Sequence, residues 1–322
     1  MAAAVTIGMA VGLFGLVAHD HLTKSSSPAA PVVRLSAAPV SPLLVRVSMF
    51  KPTTVSNVAG ATSKLTALFE RIGYRMDLVL ARGEVPRLFM STLPDDLTAF
   101  RPAAQRKLVF IKAALPLILH VNELILHDRA RLTVLRDRHR RKLAMSVADD
   151  AWFLALADKY GLDKPDFDAL LQRVDIIPPS LALAQSAEES GWGTSRFARE
   201  GNALFGQRTW KDKPGIVPHE RAEGEKYRVR AFGHLIDGVK SYAHNLNSHY
   251  AYDEFRRLRA DLRAEGNTID GVRLAGMLKG YSERGTDYIR TLHTIMRVNR
   301  LPMLDTVRLG DRIEMPPLGP DA

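Results

Sequence analysis

Pro178 to Gln207 (PPSLALAQSAEESGWGTSRFAREGNALFGQ) constrains the fold more than any other stretch, because two prolines open it and a Gly-Trp-Gly turn interrupts it. Prolines cannot continue a helix arriving from the N-terminal side, whereas Ser180 is a good N-cap and Leu181 to Glu189 are mostly good helix formers. The stretch predicts a helix of roughly two to three turns starting at Ser180. Gly191 and Gly193 supply the backbone freedom that ends it, with Trp192 between them. Counting by three and four puts Ala182, Gln185 and Glu189 on one face and Leu181, Ala184 and Glu188 on the next. Glu189 therefore falls in the last turn, beside an indole. The negative end of the helix dipole and the loss of hydration next to Trp192 both raise a glutamate pKa, which suits a general acid working near neutrality. A Glu-Glu pair without further context is more often a solvated helix end.

The remaining totals narrow the classes. The 322 residues, 46% hydrophobic and 25% charged, have the composition of a globular protein with room for more than one domain. A net charge of +10 attracts polyanions, whether nucleic acid, anionic lipid or a carboxylate-bearing cell wall. The densest basic run, Arg136 to Lys142, has no interleaved aromatic residues for base stacking, so it reads as an exposed helix face and no nucleic-acid partner is expected. The absence of cysteine excludes disulfides, thiolate metal sites and cysteine nucleophiles. His244 and His249 lack nearby ligand types, so neither a metal site nor any other cofactor is expected.

In chain order, residues 1–24 hold an apolar run that reads as a signal peptide or membrane anchor, although no basic residue precedes it. Residues 25–60, rich in Pro, Ser and Ala, read as a tether. Residues 61–147 read as a helical N-terminal region: one helix over Ser63 to Ala81, then a kinked or split helix interrupted at Pro116, then a further stretch over Asp128 to Met145. Helices over Ala148 to Tyr160 and Asp166 to Val174 follow. Gly215 to Phe232 has turn residues followed by alternation and predicts a β-hairpin, and an amphipathic helix follows from His234. The main domain is bounded at 148–308, with a Pro-rich tail at 309–322.

Glu189-Ser190-Gly191-Trp192-Gly193, followed by Asn202-Ala203-Leu204-Phe205-Gly206, resembles the signature of the glucosaminidase domain of glycoside hydrolase family 73, in its Bax-type branch. PRLFMSTLPDDL from Pro86 and LPLILHVNELILHDRARL from Leu115 share the likeness. The resemblance implies a mainly α, lysozyme-like catalytic domain with a small β-hairpin lobe, preceded by a helical region. It also implies an endo-β-N-acetylglucosaminidase acting on peptidoglycan glycan strands in the cell envelope, whether periplasmic, secreted or anchored to the inner membrane. By the same resemblance Glu189 is the catalytic acid. The second catalytic residue is a lobe glutamate four residues before a glycine, which selects Glu220 before Gly224, with Glu223 behind it. Pro218 and His219 stand where the family has a Thr-x-Glu context, and the substrate's own acetamido group is the alternative. Asn202, Phe205 and Gly206 are assigned to the saccharide cleft, with Gln185 on the face of Glu189 and Trp192, like Trp210, as a sugar-stacking ring. Of the GY…Y pair, Tyr281 is assigned to the cleft and Tyr288 to packing. A lytic transglycosylase and a non-catalytic wall-binding scaffold are the rival readings.

Overall fold

The computed structural model describes residues 61–210, 214–218 and 226–311. The expected signal or anchor at 1–24, the tether at 25–60, Glu220, Glu223 and Glu225, and the tail beyond Asp311 lie outside the described residues.

Helix α1 (Ala61–Arg71) buries Leu65 and Phe69, and α2 (Met76–Arg82) buries Val79. The single helix expected here is two, because Gly73 takes a left-handed φ of 65° and turns the chain between them. Gly83, also left-handed, caps α2 and leads into strand β1 (Glu84–Val85).

Helix α3 (Ala103–Arg140) runs unbroken through Pro116 and absorbs the separate stretch expected from Asp128. Proline in a helix interior removes one hydrogen bond and costs about 3 kcal/mol. Here every side chain from Val109 to Leu119 is buried, and that packing outweighs the local penalty. By length and composition α3 could also cross a bilayer, but its apolar window is 78% buried inside the protein, which marks it as a core helix. It packs against α5 (Phe167–Arg173), α6 (Pro179–Ser190) and α8 (Leu235–Ser248). Helix α4 (Val147–Lys159), capped by the Ser146 side chain, lies between α3 and α5 in the chain.

Helix α6 sits at the centre. Every residue from Pro179 to Ala187 is buried, which is the pattern of a helix enclosed on all sides. Its many Ala and Ser side chains let α3, α10 (Gly271–Ala275) and α11 (Thr286–Val298) approach closely. A Cβ on Gly271 would lie 2.1 Å from Ser180 Oγ. The helix begins at Pro179, so Ser180 is inside it and does not cap it. Asp305 caps instead, accepting from Ser180 N and Oγ at 2.8 Å each and from Gly271 N at 3.1 Å. Proline at the cap position has no side-chain acceptor, so a carboxylate distant in sequence supplies it.

The approach to α6 is held by a buried ionic hub. Asp175 accepts two hydrogen bonds from Arg263 and lies 3.4 Å from Arg129. Arg259, fully buried, donates to the carbonyls of Gln172, Asp175 and Ile176 and to Asn247 Oδ1. Arg259 and Arg263 belong to α9 (Asp253–Ala264), so the hub ties α3, α8 and α9 to the chain entering α6.

After α6 comes α7 (Arg196–Gly201), then a three-stranded lobe of β2 (Arg208–Thr209), β3 (Gly215–Ile216) and β4 (Arg228–Arg230) in the order β2-β4-β3. The expected hairpin is β3 with β4, antiparallel, with Gly215 opposite Arg230 and Ile216 opposite Val229. Strand β5 (Arg308–Leu309) pairs in parallel with β1, and Gly310 N donates to Val85 O, so ordered pairing reaches into the expected tail. The architecture is mainly α, with a small β lobe and a helical front region.

Candidate active site

Three consecutive left-handed residues end α6: Gly191, Trp192 and Gly193, at φ of 58°, 60° and 76°. Left-handed backbone costs a side-chain-bearing residue about 1–2 kcal/mol, so Trp192 needs compensation. Its ring packs edge-on against Phe110 of α3 at 5.9 Å, with Lys107 Nζ 4.8 Å above it. Gly193 cannot be anything larger, because a Cβ there would meet Leu93 at 2.5 Å and Phe110 at 2.9 Å. Ser190 Oγ accepts from Gly193 N at 2.8 Å and closes the turn. The turn thus anchors the end of α6 to α3 and fixes the direction in which Glu189 leaves the helix.

Glu189 is largely withdrawn from water, and burial pushes its carboxyl above the usual value; Glu188 adds to the rise, while Tyr288 and Arg284 oppose it. The enclosing groups differ from those the sequence suggested. Trp192 faces α3, and the surroundings of Glu189 are tyrosines together with Gly206. Gly206 is left-handed, and a Cβ on it would lie 3.0 Å from Glu189 Oε2, so only glycine lets the backbone pass so close to the carboxylate. Glu188 is drawn away into an ion pair with Arg284.

A directional chain of hydrogen bonds backs the carboxylate. Tyr242 donates to Gln185 Oε1 at 2.6 Å, Gln185 Nε2 donates to the Tyr288 hydroxyl at 3.0 Å, and that hydroxyl faces Glu189 and lowers its pKa. Gln185 is fully buried, with both ends of its amide occupied in this chain. Tyr288, assigned by sequence to packing, is buried, and its hydroxyl also acts on the carboxylate. The signal for it was its place in the first turn of α11, which packs along α6. Tyr281 stacks parallel to Tyr288 at 5.6 Å and donates to Phe205 O at 3.1 Å, bracing the loop that carries Gly206.

The remaining assigned residues support this wall. Phe205 is buried and stacks on Tyr242 at 3.8 Å. Asn202 takes a left-handed conformation at the end of α7, and its amide donates to Phe232 O and Gly233 O, joining α7 to the chain before α8. Trp210 is exposed at the end of β2. Glu220 lies outside the described residues. Among the described residues no group of three or more His, Asp or Glu is placed to hold a metal ion.

Comparisons with known proteins identify relatives of the chain. A family profile described as mannosyl-glycoprotein endo-beta-N-acetylglucosaminidase matches residues 164–301. Protein bax of Escherichia coli (strain K12) is 32% identical over 216 residues, which is 65% of this chain and 75% of that protein. The catalytic domain of the autolysin Auto from Listeria monocytogenes superposes with a TM-score of 0.32 at 17% identity, over 54% of this chain and 97% of that domain. With the profile spanning α5 to α11 and the identity to protein bax extending over three quarters of that relative, the chain belongs to the glucosaminidase family of glycoside hydrolases, in its Bax-type branch.

Proposed function

We propose that the protein is a peptidoglycan hydrolase, an endo-β-N-acetylglucosaminidase that cleaves the β-1,4 bond on the GlcNAc side, with Glu189 as general acid. The observation that carries this reading is a carboxylate at the end of a buried helix, raised in pKa by burial and enclosed by Gly206 and a buried tyrosine. A protonated carboxyl so placed can give its proton to the glycosidic oxygen as the bond breaks. Among the described residues the carboxylate that acts on Glu189 through space is Glu188, and Arg284 neutralises it. The group that assists at the anomeric carbon is then Glu220 on the β lobe or the substrate's acetamido oxygen. Family membership and the positive net charge support an envelope location and a wall-borne, carboxylate-rich partner, with residues 1–24 as export signal or inner-membrane anchor.

The test is mass spectrometry of soluble products from purified peptidoglycan digested by the full chain, beside Glu189→Gln. Reducing GlcNAc ends, lost in the variant, are the expected result. Anhydro-muramyl ends would make the protein a lytic transglycosylase. Wall binding without fragments would make it a scaffold.

A further inference from the structure

Next to the candidate cleft is a cavity of about 380 Å³ between the end of α4, one face of α8 and the β lobe. Gln207 lines it and directly follows Gly206, whose backbone faces Glu189, so the cavity starts one peptide step, about 3.8 Å, beyond the catalytic wall. Among its lining residues Lys159, Arg208 and Arg230 are cationic and Asp158 is the one carboxylate. Arg208 is engaged by the exposed Glu283, and Lys159 by Asp128 at 3.4 Å. Arg230 has no carboxylate partner among the described residues: its guanidinium donates to Ser241 Oγ at 2.8 Å and lies over the Phe232 ring. His244, on the same wall, is held below its ordinary pKa by burial and by the charges of Lys159 and Arg230, so it adds no charge of its own near neutrality. Gln207 Oε1 is buried and receives no donor among the described residues. A cavity of this size with a planar guanidinium that no carboxylate occupies among the described residues suits a short peptide segment carrying a carboxylate, and is small for a glycan strand.

We propose that this cavity receives a carboxylate of the peptidoglycan stem peptide, with Arg230 as its principal ligand, and that the protein therefore prefers stem-bearing strands to bare glycan. The proposal rests on the peptidoglycan reading above. Stem peptides branch from the sugar beside the bond to be cut, so a strand threaded past Glu189 can deliver one into a cavity that begins next to Gly206.

Two readouts with the full chain test it. In the first, a soluble stem tetrapeptide is titrated calorimetrically into Glu189→Gln protein, with its carboxylates free or amidated, and with or without Arg230→Gln. In the second, reducing ends are counted from stem-bearing and from amidase-stripped peptidoglycan. Amidation and Arg230→Gln are each expected to weaken tetrapeptide binding about tenfold. The rate ratio of stem-bearing to stripped substrate is expected to be about ten in the wild type and to fall towards one in Arg230→Gln. Lys159→Gln lowers the ratio in the same direction and replaces Arg230→Gln should that variant fail to fold. Equal affinity for the amidated peptide, or a ratio unchanged in the variants, would overturn the proposal. A preference for stripped strands, whose bared lactyl carboxylate is the other source of the same group, would overturn the assignment to the stem. Failure of the hydrolase reading is distinguishable: neither substrate yields reducing ends, while tetrapeptide binding still depends on Arg230.

Discussion

Replacing Tyr288 with Phe removes one oxygen and little volume, and it acts on the proton that Glu189 is proposed to donate. The Tyr288 hydroxyl favours the ionised carboxylate and so lowers the Glu189 pKa against the rise caused by burial. An interaction between a hydroxyl and a charged group is worth about 1.5–3 kcal/mol, and its loss leaves burial less opposed, so the variant should raise the Glu189 pKa further. A general acid works protonated, and kcat/KM falls as pH rises through its pKa. The alkaline limb of the pH-rate profile should therefore move to higher pH in Tyr288→Phe. The same change strips Gln185 Nε2 of its acceptor in a fully buried site, which costs about 1–3 kcal/mol of stability and is read independently from urea denaturation. An alkaline limb that stays in place, or moves to lower pH, in a variant that is folded would refute the assignment of Tyr288 as the positioning residue for Glu189.

Other perturbations test the surrounding frame. Gly206→Ala places a methyl group 3.0 Å from Glu189 Oε2 at a left-handed φ, so about 1–2 kcal/mol of strain and at least a roughly tenfold loss of kcat are expected, measured by calorimetric melting and product release. Burial would raise the Asp175 carboxyl, but the hydrogen bonds of Arg263 and the charges of Arg259 and Arg129 outweigh it and hold it below its usual 3.8. Its contribution to stability is complete above that value and lost as pH falls through the lower folded pKa. Asp175→Asn should cost about 3–5 kcal/mol at neutral pH, with the gap to wild type closing in acid, as followed by urea titrations. Asp305 is pushed up to about 6 by burial, so its effect has the opposite sign: wild-type stability is fullest below about 3.8 and declines as pH rises through about 6. Asp305→Asn should flatten that decline, whereas Asp305→Ala orphans the donors of Ser180 and Gly271 and should cost about 2–4 kcal/mol in the same titrations.

The local grammar of this chain was readable, and its long-range terms were not. The expected helices over Ala148 to Tyr160 and Asp166 to Val174 lie within a residue of α4 and α5 at each end, and the Ser146 and Asp166 caps and the left-handed Gly161 that set those ends lie in adjacent residues. The position of Glu189 in the last turn of α6 followed from Gly191 in the same way. Pro116 misled because its local penalty competes with burial supplied by α6 and α8, which a window on α3 does not contain. Ser180 misled because its capping partner, Asp305, is far away in sequence. The tyrosine behind Glu189 was assigned to packing for a related reason. Spacing shows which side of a helix is apolar, but not that a hydroxyl at the rim of that side reaches a carboxylate on another helix.

The passage of α3 through the middle of the protein sets the size of the cooperative unit. The family profile begins at residue 164, after α3 and α4 have ended, yet α3 supplies the surface on which α6 and α8 rest. Phe110, within α3, is also the ring on which the strained Trp192 turn is seated. A fragment restricted to the matched residues would face solvent with the apolar sides of both helices, and would be a loose, aggregation-prone globule in place of an independent catalytic module. The intact chain should instead lose its front helices and its catalytic helix in a single calorimetric transition, so that wear on residues far ahead of Glu189 is felt directly at the carboxylate.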